Sequence, residues 1–369
     1  MPDTRRRSFL MLMAASLAAC YGNDTTPMTT RYRTAVDGVM KRYRAPGALV
    51  SVRYPGEPEW TVALGENDLA GHVPARLDNV FPIRSITKSY TVTVLLQLVR
   101  ERALTLDDPI ETWVPGIPNG TRISLGDLAG MQSGIADYSA APAFTKAFGE
   151  NLARAFTEQE LVAYAIPGSP VFAPGAQYEY SNTNTVLLGM VVAQVTGVPL
   201  GEALRARIFA PLGLKRTAYP SEVALPEPHA TPYDVDINTG VAETLPLISP
   251  TALAGAGAMT STLDDLATWA AALGDGRLIG PELQKLRVER SRVVTNGPEY
   301  ERYGLGIGLL DGWIGHTGSG VGFSAAAMYD PRTTATVAVS VNATPSGGRR
   351  DLNLSQEIFS ALAAVVATR

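Results

Sequence analysis

Apolar and polar positions along the chain change rhythm twice. Residues 31–44 carry apolar side chains at helical spacing. Ala48-Leu49-Val50-Ser51-Val52 and Trp60-Thr61-Val62-Ala63-Leu64 read as two strands joined by a Pro/Gly-rich turn at 54–58. Phe81-Pro82-Ile83-Arg84 then leads into a long helical pattern over 85–102. From there to about residue 300, helical stretches alternate with Pro/Gly-rich loops. The clearest helices are 184–195, 200–208 and 263–273; the last starts after Thr262, with Asp264 and Asp265 in its first turn. Beyond 300 the rhythm becomes strand-like again, at 304–310, 323–329 and 335–341, and 351–366 reads as a closing helix. The pattern predicts an α/β (α+β) fold. One lobe comes from both chain ends, about 31–84 and 300–369, and a mainly helical lobe, about 85–299, is inserted between them.

The first thirty residues do not share these rhythms. Arg5, Arg6 and Arg7 precede an apolar stretch over 9–19 that is too short for an ordinary membrane span. This is the grammar of a signal peptide, expected at 1–19, and Arg6-Arg7-Ser8-Phe9-Leu10 resembles a twin-arginine export signal. Leu17-Ala18-Ala19-Cys20 resembles a bacterial lipobox, which predicts lipid on Cys20 and an enzyme tethered at the outer face of the cell membrane. Polar, unpatterned residues 21–30 read as the tether.

Composition narrows this picture. With 369 residues, 46% hydrophobic and 18% charged, the chain suits one large domain or two lobes sharing a core. Its formal charge is -4 and becomes -6 once 1–19 is removed, with no long basic run, so no nucleic-acid partner is expected. Cys20 is the single cysteine, which excludes an intramolecular disulfide. A small-molecule or peptide substrate and a monomer are expected.

Three short motifs carry the chemistry. In Ser85-Ile86-Thr87-Lys88, residues three apart on a helix share a face, so the lysine amine reaches the serine hydroxyl. Serine needs a neighbouring base to become a nucleophile, and a lysine serves once burial lowers its pKa. Tyr180-Ser181-Asn182 follows a Gly/Pro-rich approach and opens the next helix, where Tyr180 can shuttle a proton and Asn182 can hydrogen-bond an amide in both directions. His316-Thr317-Gly318-Ser319 follows the turn at Asp311-Gly312. Its glycine permits close approach to a strand edge, and the Ser319 amide can join that of Ser85 in an oxyanion hole. The motifs of an α/β-hydrolase (G-x-S-x-G), of a zinc hydrolase (H-E-x-x-H) and of a P-loop do not occur, and the three histidines are scattered, so neither metal nor cofactor is expected.

The order S-x-x-K, Y-S-N, H-T-G resembles the penicillin-recognising serine hydrolases, and within them the branch of class C β-lactamases, secreted D-alanyl-D-alanine carboxypeptidases and related esterases. Leu125-Gly126-Asp127-Leu128 with Gln132-Ser133-Gly134-Ile135, then Gly257-Ala258-Met259-Thr260-Ser261-Thr262 and Tyr303-Gly304-Leu305-Gly306, extend the likeness to about 31–365. The resemblance implies a β-lactamase/transpeptidase-like fold with an antiparallel sheet. It also implies acyl transfer through Ser85, with Lys88 helping to take its proton and Tyr180 acting with Lys88 as general base before protonating the leaving group. Asn182 would hold the substrate amide, and His316, Thr317, Gly318 and Ser319 would line the opposite wall. The activity implied is that of a carboxypeptidase on D-Ala-D-Ala peptides; an esterase, a β-lactamase or a non-catalytic penicillin- or peptidoglycan-binding lipoprotein are the alternatives. Carboxypeptidase members commonly place a cation before the third motif, yet 303–316 holds neither Lys nor Arg, leaving Arg302 or Arg84 to grip a substrate carboxylate.

Overall fold

The computed structural model describes residues 26–295, 300–348 and 352–369. The expected signal peptide, Cys20 and residues 21–25 of the tether lie outside the described residues, and Met28 to Thr30, expected as tether, already belong to a helix. Nine strands form one antiparallel sheet: β1 (Gly47–Arg53), β2 (Trp60–Asp68), β3 (Val73–Pro74), β4 (Arg292–Val293), β5 (Arg302–Tyr303), β6 (Gly308–Leu310), β7 (Trp313–Gly320), β8 (Phe323–Tyr329) and β9 (Thr336–Val341). Their order is β3-β2-β1-β9-β8-β7-β6-β5-β4. The two chain ends therefore meet at the centre, where β1 pairs β9 with Val50 opposite Val339.

The period-two alternation of these strands feeds two cores. Val50, Val52, Val337, Val339 and Met328 point to a layer made by helices α1 (Met28–Tyr43) and α5 (Leu354–Val366). Leu49, Ala325, Ala327 and Ala338 point the other way, into the core shared with α2 (Thr87–Arg100) and α3 (Asn182–Thr196). Helix α4 (Leu263–Asp275) is capped by Thr262, whose hydroxyl accepts from Asp265 N–H, and it packs on β8 and β9 although it arises within the mainly helical stretch.

Several expected boundaries move for identifiable reasons. The strand expected over 304–310 is cut to β6, because Gly306 (φ +67°) bends the chain beneath Val92. Strand β7 has no counterpart in the expected strands. Its three glycines interrupt the apolar alternation that marks a strand, but Gly315 and Gly318 are there because neighbouring backbone leaves no room for a Cβ. The helix expected from Ser85 opens as a 3-10 turn, Arg84–Ile86, before α2 begins at Thr87.

Candidate active site

The nucleophile candidate sits on that 3-10 turn. Arg84, the residue before it, has φ +49°, a conformation rare outside glycine, and persists because its surroundings fix it. The Arg84 guanidinium is buried and donates from Nε to Gly320 O (2.9 Å) and from Nη2 to Val321 O (3.0 Å). Burial pulls its pKa down to about 10. The nucleophile turn is thereby bolted to the β7–β8 turn.

Lys88 lies one helical turn beyond Ser85 and is completely buried. Its Nζ is 3.0 Å from Ser85 Oγ, 2.7 Å from Asn182 Oδ1 and 2.8 Å from Ala256 O. Burial lowers its pKa to about 7, and Asp137 partly offsets the fall. A substantial neutral fraction therefore exists at neutral pH. A neutral amine has two N–H groups and one lone pair. Asn182 Oδ1 and Ala256 O can only accept, so they occupy the two N–H groups and leave the lone pair facing Ser85 Oγ.

Tyr180 comes from the loop before α3. Its ring lies 4.9 Å from Lys88 Nζ, and its shielded hydroxyl faces Ser85 without closing a well-formed hydrogen bond. Desolvation holds its pKa well above 10, so the phenol keeps its proton. Tyr180 is thus placed as a proton donor and relay, with the base character in Lys88, rather than as a second base.

Two expectations need correction. His316 was expected on the cleft wall, but its ring is fully buried behind β7. Its Nδ1 donates to Thr317 O (2.6 Å), so Nε2 accepts from the Tyr303 hydroxyl (3.0 Å). Burial and the nearby Lys88 charge push its pKa down to about 3, leaving a neutral imidazole. Thr317 is likewise buried, bonded through Oγ1 and its N–H to the Tyr300 hydroxyl. The wall is made instead by Ser319, Gly320 and Val321, while Gly318 packs against the nucleophile turn. Asn182 was expected to hold substrate. Its Nδ2 donates to Asp137 Oδ2 (2.9 Å) and Ser139 Oγ (3.1 Å) and its Oδ1 accepts from Lys88, so its donating end is taken by the protein; it still lines the cleft, where the second lone pair of Oδ1 can accept from a substrate N–H.

Asp137, Ser139, Ala256, Tyr300 and Tyr303 reach the site from separate loops and strands. Only Tyr303 sat in a segment that the sequence singled out around the third motif. The cleft over Ser85 measures about 290 Å³, and its lining combines the apolar Phe144, Phe148, Ile248 and Leu253 with the polar Ser139 and Asn182. Among the described residues that line it, Arg84 is the one cation. No group of three or more His, Cys, Asp or Glu side chains among the described residues is arranged to hold a metal.

The Beta-lactamase family pattern matches residues 32–359. The chain belongs to that family. It is a serine hydrolase with the family's α+β fold. It is 32% identical over 241 residues to a D-aminopeptidase of Brucella anthropi, a match covering 65% of this chain and 45% of the relative. The chain thus spans under half the length of the curated relative it matches. A D-stereospecific amidohydrolase from Streptomyces sp. superposes with a TM-score of 0.77 at 33% identity, covering 91% of this chain and 98% of that one. The D-amino acid amidase of Ochrobactrum anthropi SV3, complexed with L-phenylalanine amide, gives a TM-score of 0.83 at 26% identity, covering 92% and 99%.

Proposed function

We propose that the protein hydrolyses the amide bond next to a D-amino acid with an apolar side chain, through an acyl-Ser85 intermediate. One observation carries the choice of substrate. The cleft couples an apolar side, Phe144, Phe148, Ile248 and Leu253, with no uncommitted cation among the described residues that line it to grip a carboxylate. Of the two arginines available for that task, Arg84 is spent on Gly320 O and Val321 O, and Arg302 on Ser291 Oγ (2.9 Å) and Ser291 O (2.5 Å). A D-Ala-D-Ala carboxypeptidase must hold a terminal carboxylate; an amidase or aminopeptidase need not. The relatives named above, with D-aminopeptidase, D-stereospecific amidohydrolase and D-amino acid amidase in their descriptions, support the same reading.

In the proposed reaction, neutral Lys88 takes the Ser85 proton as Oγ attacks the carbonyl carbon. The backbone N–H groups of Ser85 and Ser319 hold the oxyanion. The Tyr180 hydroxyl gives its proton to the departing nitrogen and is reprotonated from Lys88, so ammonia or an amine leaves and an ester remains on Ser85. Water then attacks that ester with Lys88 taking its proton, Ser85 regains a hydrogen, and the free acid departs. Every group named comes from one chain, so a monomer suffices. Export and anchoring through Cys20 are part of the same proposal and rest on the segment 1–20; Cys20→Ala should move the protein from the membrane to the soluble fraction.

The decisive experiment presents wild type and Ser85→Ala with D-phenylalaninamide, L-phenylalaninamide, a D-Ala-D-Ala peptide, p-nitrophenyl acetate and a penicillin, following products and intact mass. Ammonia release from the D-amide by wild type alone is the expected result. Release of D-alanine from the peptide without turnover of the D-amide would overturn the substrate assignment in favour of a carboxypeptidase.

A further inference from the structure

The least explained charge at the site is Asp137. It lies on the loop before the 3-10 turn Tyr138–Ala140, next to the first turn of α3. That loop is fastened to the start of α3 by Tyr138 N–H donating to Thr183 Oγ1 (3.0 Å), Thr183 Oγ1 to Ala136 O (2.7 Å) and Ser181 Oγ to Ala136 O (3.2 Å). The carboxylate position is therefore set by backbone. Its Oδ1 accepts from Ser139 N–H and Ser139 Oγ, both at 2.9 Å, and its Oδ2 accepts from Asn182 Nδ2 at 2.9 Å. These partners are neutral. Beyond them, the cation it acts on is Lys88, whose protonated form it favours.

We propose that Asp137 is a positioning residue for catalysis and the selector for substrates that bear a free α-ammonium group. The positioning half follows from donor and acceptor counting. A carboxylate only accepts, so it forces the NH2 end of Asn182 toward itself and the carbonyl end toward Lys88. With that carbonyl and Ala256 O taking the two N–H groups of the neutral amine, the lone pair is left to Ser85 Oγ. Were Asn182 reversed, its NH2 would face Lys88 and compete for that lone pair. The selecting half, which rests on the amide-hydrolase reading above, follows from position and sign. Ser139 and Asn182, the two side chains bonded to Asp137, both line the cleft over Ser85, so the proposal seats the α-ammonium of the acyl group beside them. A cation there meets the field of Asp137, and its hydrogen bonds to Ser139 Oγ are charge-assisted.

The charged and titratable groups around Lys88 are Asp137 from the loop, Tyr180 from the approach to α3 and His316 from β7. Tyr180 and His316 stay neutral across the working range, so Asp137 is the group whose removal changes the Lys88 field. Its charge favours the protonated amine. Removing it makes the neutral form available at lower pH.

The test compares wild type, Asp137→Asn and Asp137→Glu on D-phenylalaninamide, N-acetyl-D-phenylalaninamide and p-nitrophenyl acetate. In Asp137→Asn, kcat should fall by a similar factor on both amides, and KM should rise by about 10- to 100-fold on the free amine alone. The KM of the acetylated amide should change far less, and Asp137→Glu should recover part of both effects. On the ester, the acid limb of the pH–rate profile should move to lower pH in Asp137→Asn. Equal changes of KM on the two amides would overturn the selecting half, and an unchanged kcat with an unmoved ester limb would overturn the positioning half. If wild type cleaves the ester but neither amide, the amide-hydrolase reading falls and the selecting half falls with it, while the ester limb still decides the positioning half. Wild type also gives a readout independent of any variant's folding. 2-Phenylethylamine should inhibit ester hydrolysis more tightly than 2-phenylethanol, and equal inhibition would count against selection.

Discussion

Gly318 of β7 and Ile83 of the nucleophile turn meet with no space between them: a Cβ on Gly318 would stand 2.2 Å from Ile83 O and 2.9 Å from Ser85 N. The contact is backbone against backbone, so no rotamer change relieves it. Gly318→Ala must therefore part β7 from the turn and pull the Ser319 amide away from Ser85. We expect loss of stability by about 1–3 kcal/mol, the usual cost of overpacking. The kcat should fall by about 10²-fold or more, as when one oxyanion donor is lost. Thermal unfolding and steady-state kinetics on the same sample check both.

Lys88 sets the pH dependence. The reactive form is the neutral amine, whose fraction rises with pH, so kcat/KM should climb through an acid limb near pH 7, where burial has brought this lysine. His316, with its pKa near 3, is already neutral there, and Tyr180 keeps its phenolic proton to well above pH 10. The limb should therefore survive His316→Gln at nearly the same pH, whatever that substitution does to the rate. In Lys88→Ala the limb should vanish and the rate fall about 10²–10⁴-fold. A limb that follows His316 instead would show that the base has been misassigned.

The sequence made this much visible because Ser85 and Lys88 are paired by helix geometry alone, and Tyr180 and Asn182 by the start of a single helix. What was hidden depends on tertiary contact. Asp137 and Ala256 are separated from Lys88 by 49 and 168 positions, and nothing in their local sequence marks them. His316 was assigned to the wrong side of its strand because β7 itself was not legible. A segment with glycines at 315, 318 and 320 resembles a loop until the neighbouring backbone that demands them is known. The two-ended construction of the sheet was legible, since apolar alternation survives at β1, β2, β8 and β9, where few glycines interrupt it.

Phe148 tests the apolar side of the cleft. It is half-buried, stacks on Phe144 at 5.5 Å between ring centroids and 10° between planes, and lines the cleft with it. Phe144 is part of the buried core, so its truncation would confound folding with binding, whereas Phe148 lies at the edge. In Phe148→Ala the preference for D-phenylalaninamide over D-alaninamide should shrink by about 10-fold or more, the scale of one side-chain contact in an apolar pocket. The rate on D-alaninamide should change little. Parallel kcat/KM measurements on the two amides give the answer, and an unchanged ratio would move the side-chain pocket elsewhere.

Arg84 is the remaining group whose role differs from the one its charge suggests. If it gripped a substrate carboxylate, its loss would raise KM for acidic substrates and leave others alone. The structure gives it a different task, joining the strained residue before Ser85 to the carbonyls of Gly320 and Val321. Arg84→Met should then leave those carbonyls and the left-handed turn unsupported. We expect a loss of about 1–3 kcal/mol of stability and a fall in kcat on amide and ester alike. Lysine cannot reproduce two parallel N–H bonds from one planar group, so Arg84→Lys should resemble Arg84→Met rather than wild type. Melting curves together with kcat and KM for a neutral ester, a D-amide and a D-Ala-D-Ala peptide separate the two roles. A defect confined to KM of the peptide would return Arg84 to carboxylate binding and revive the carboxypeptidase reading.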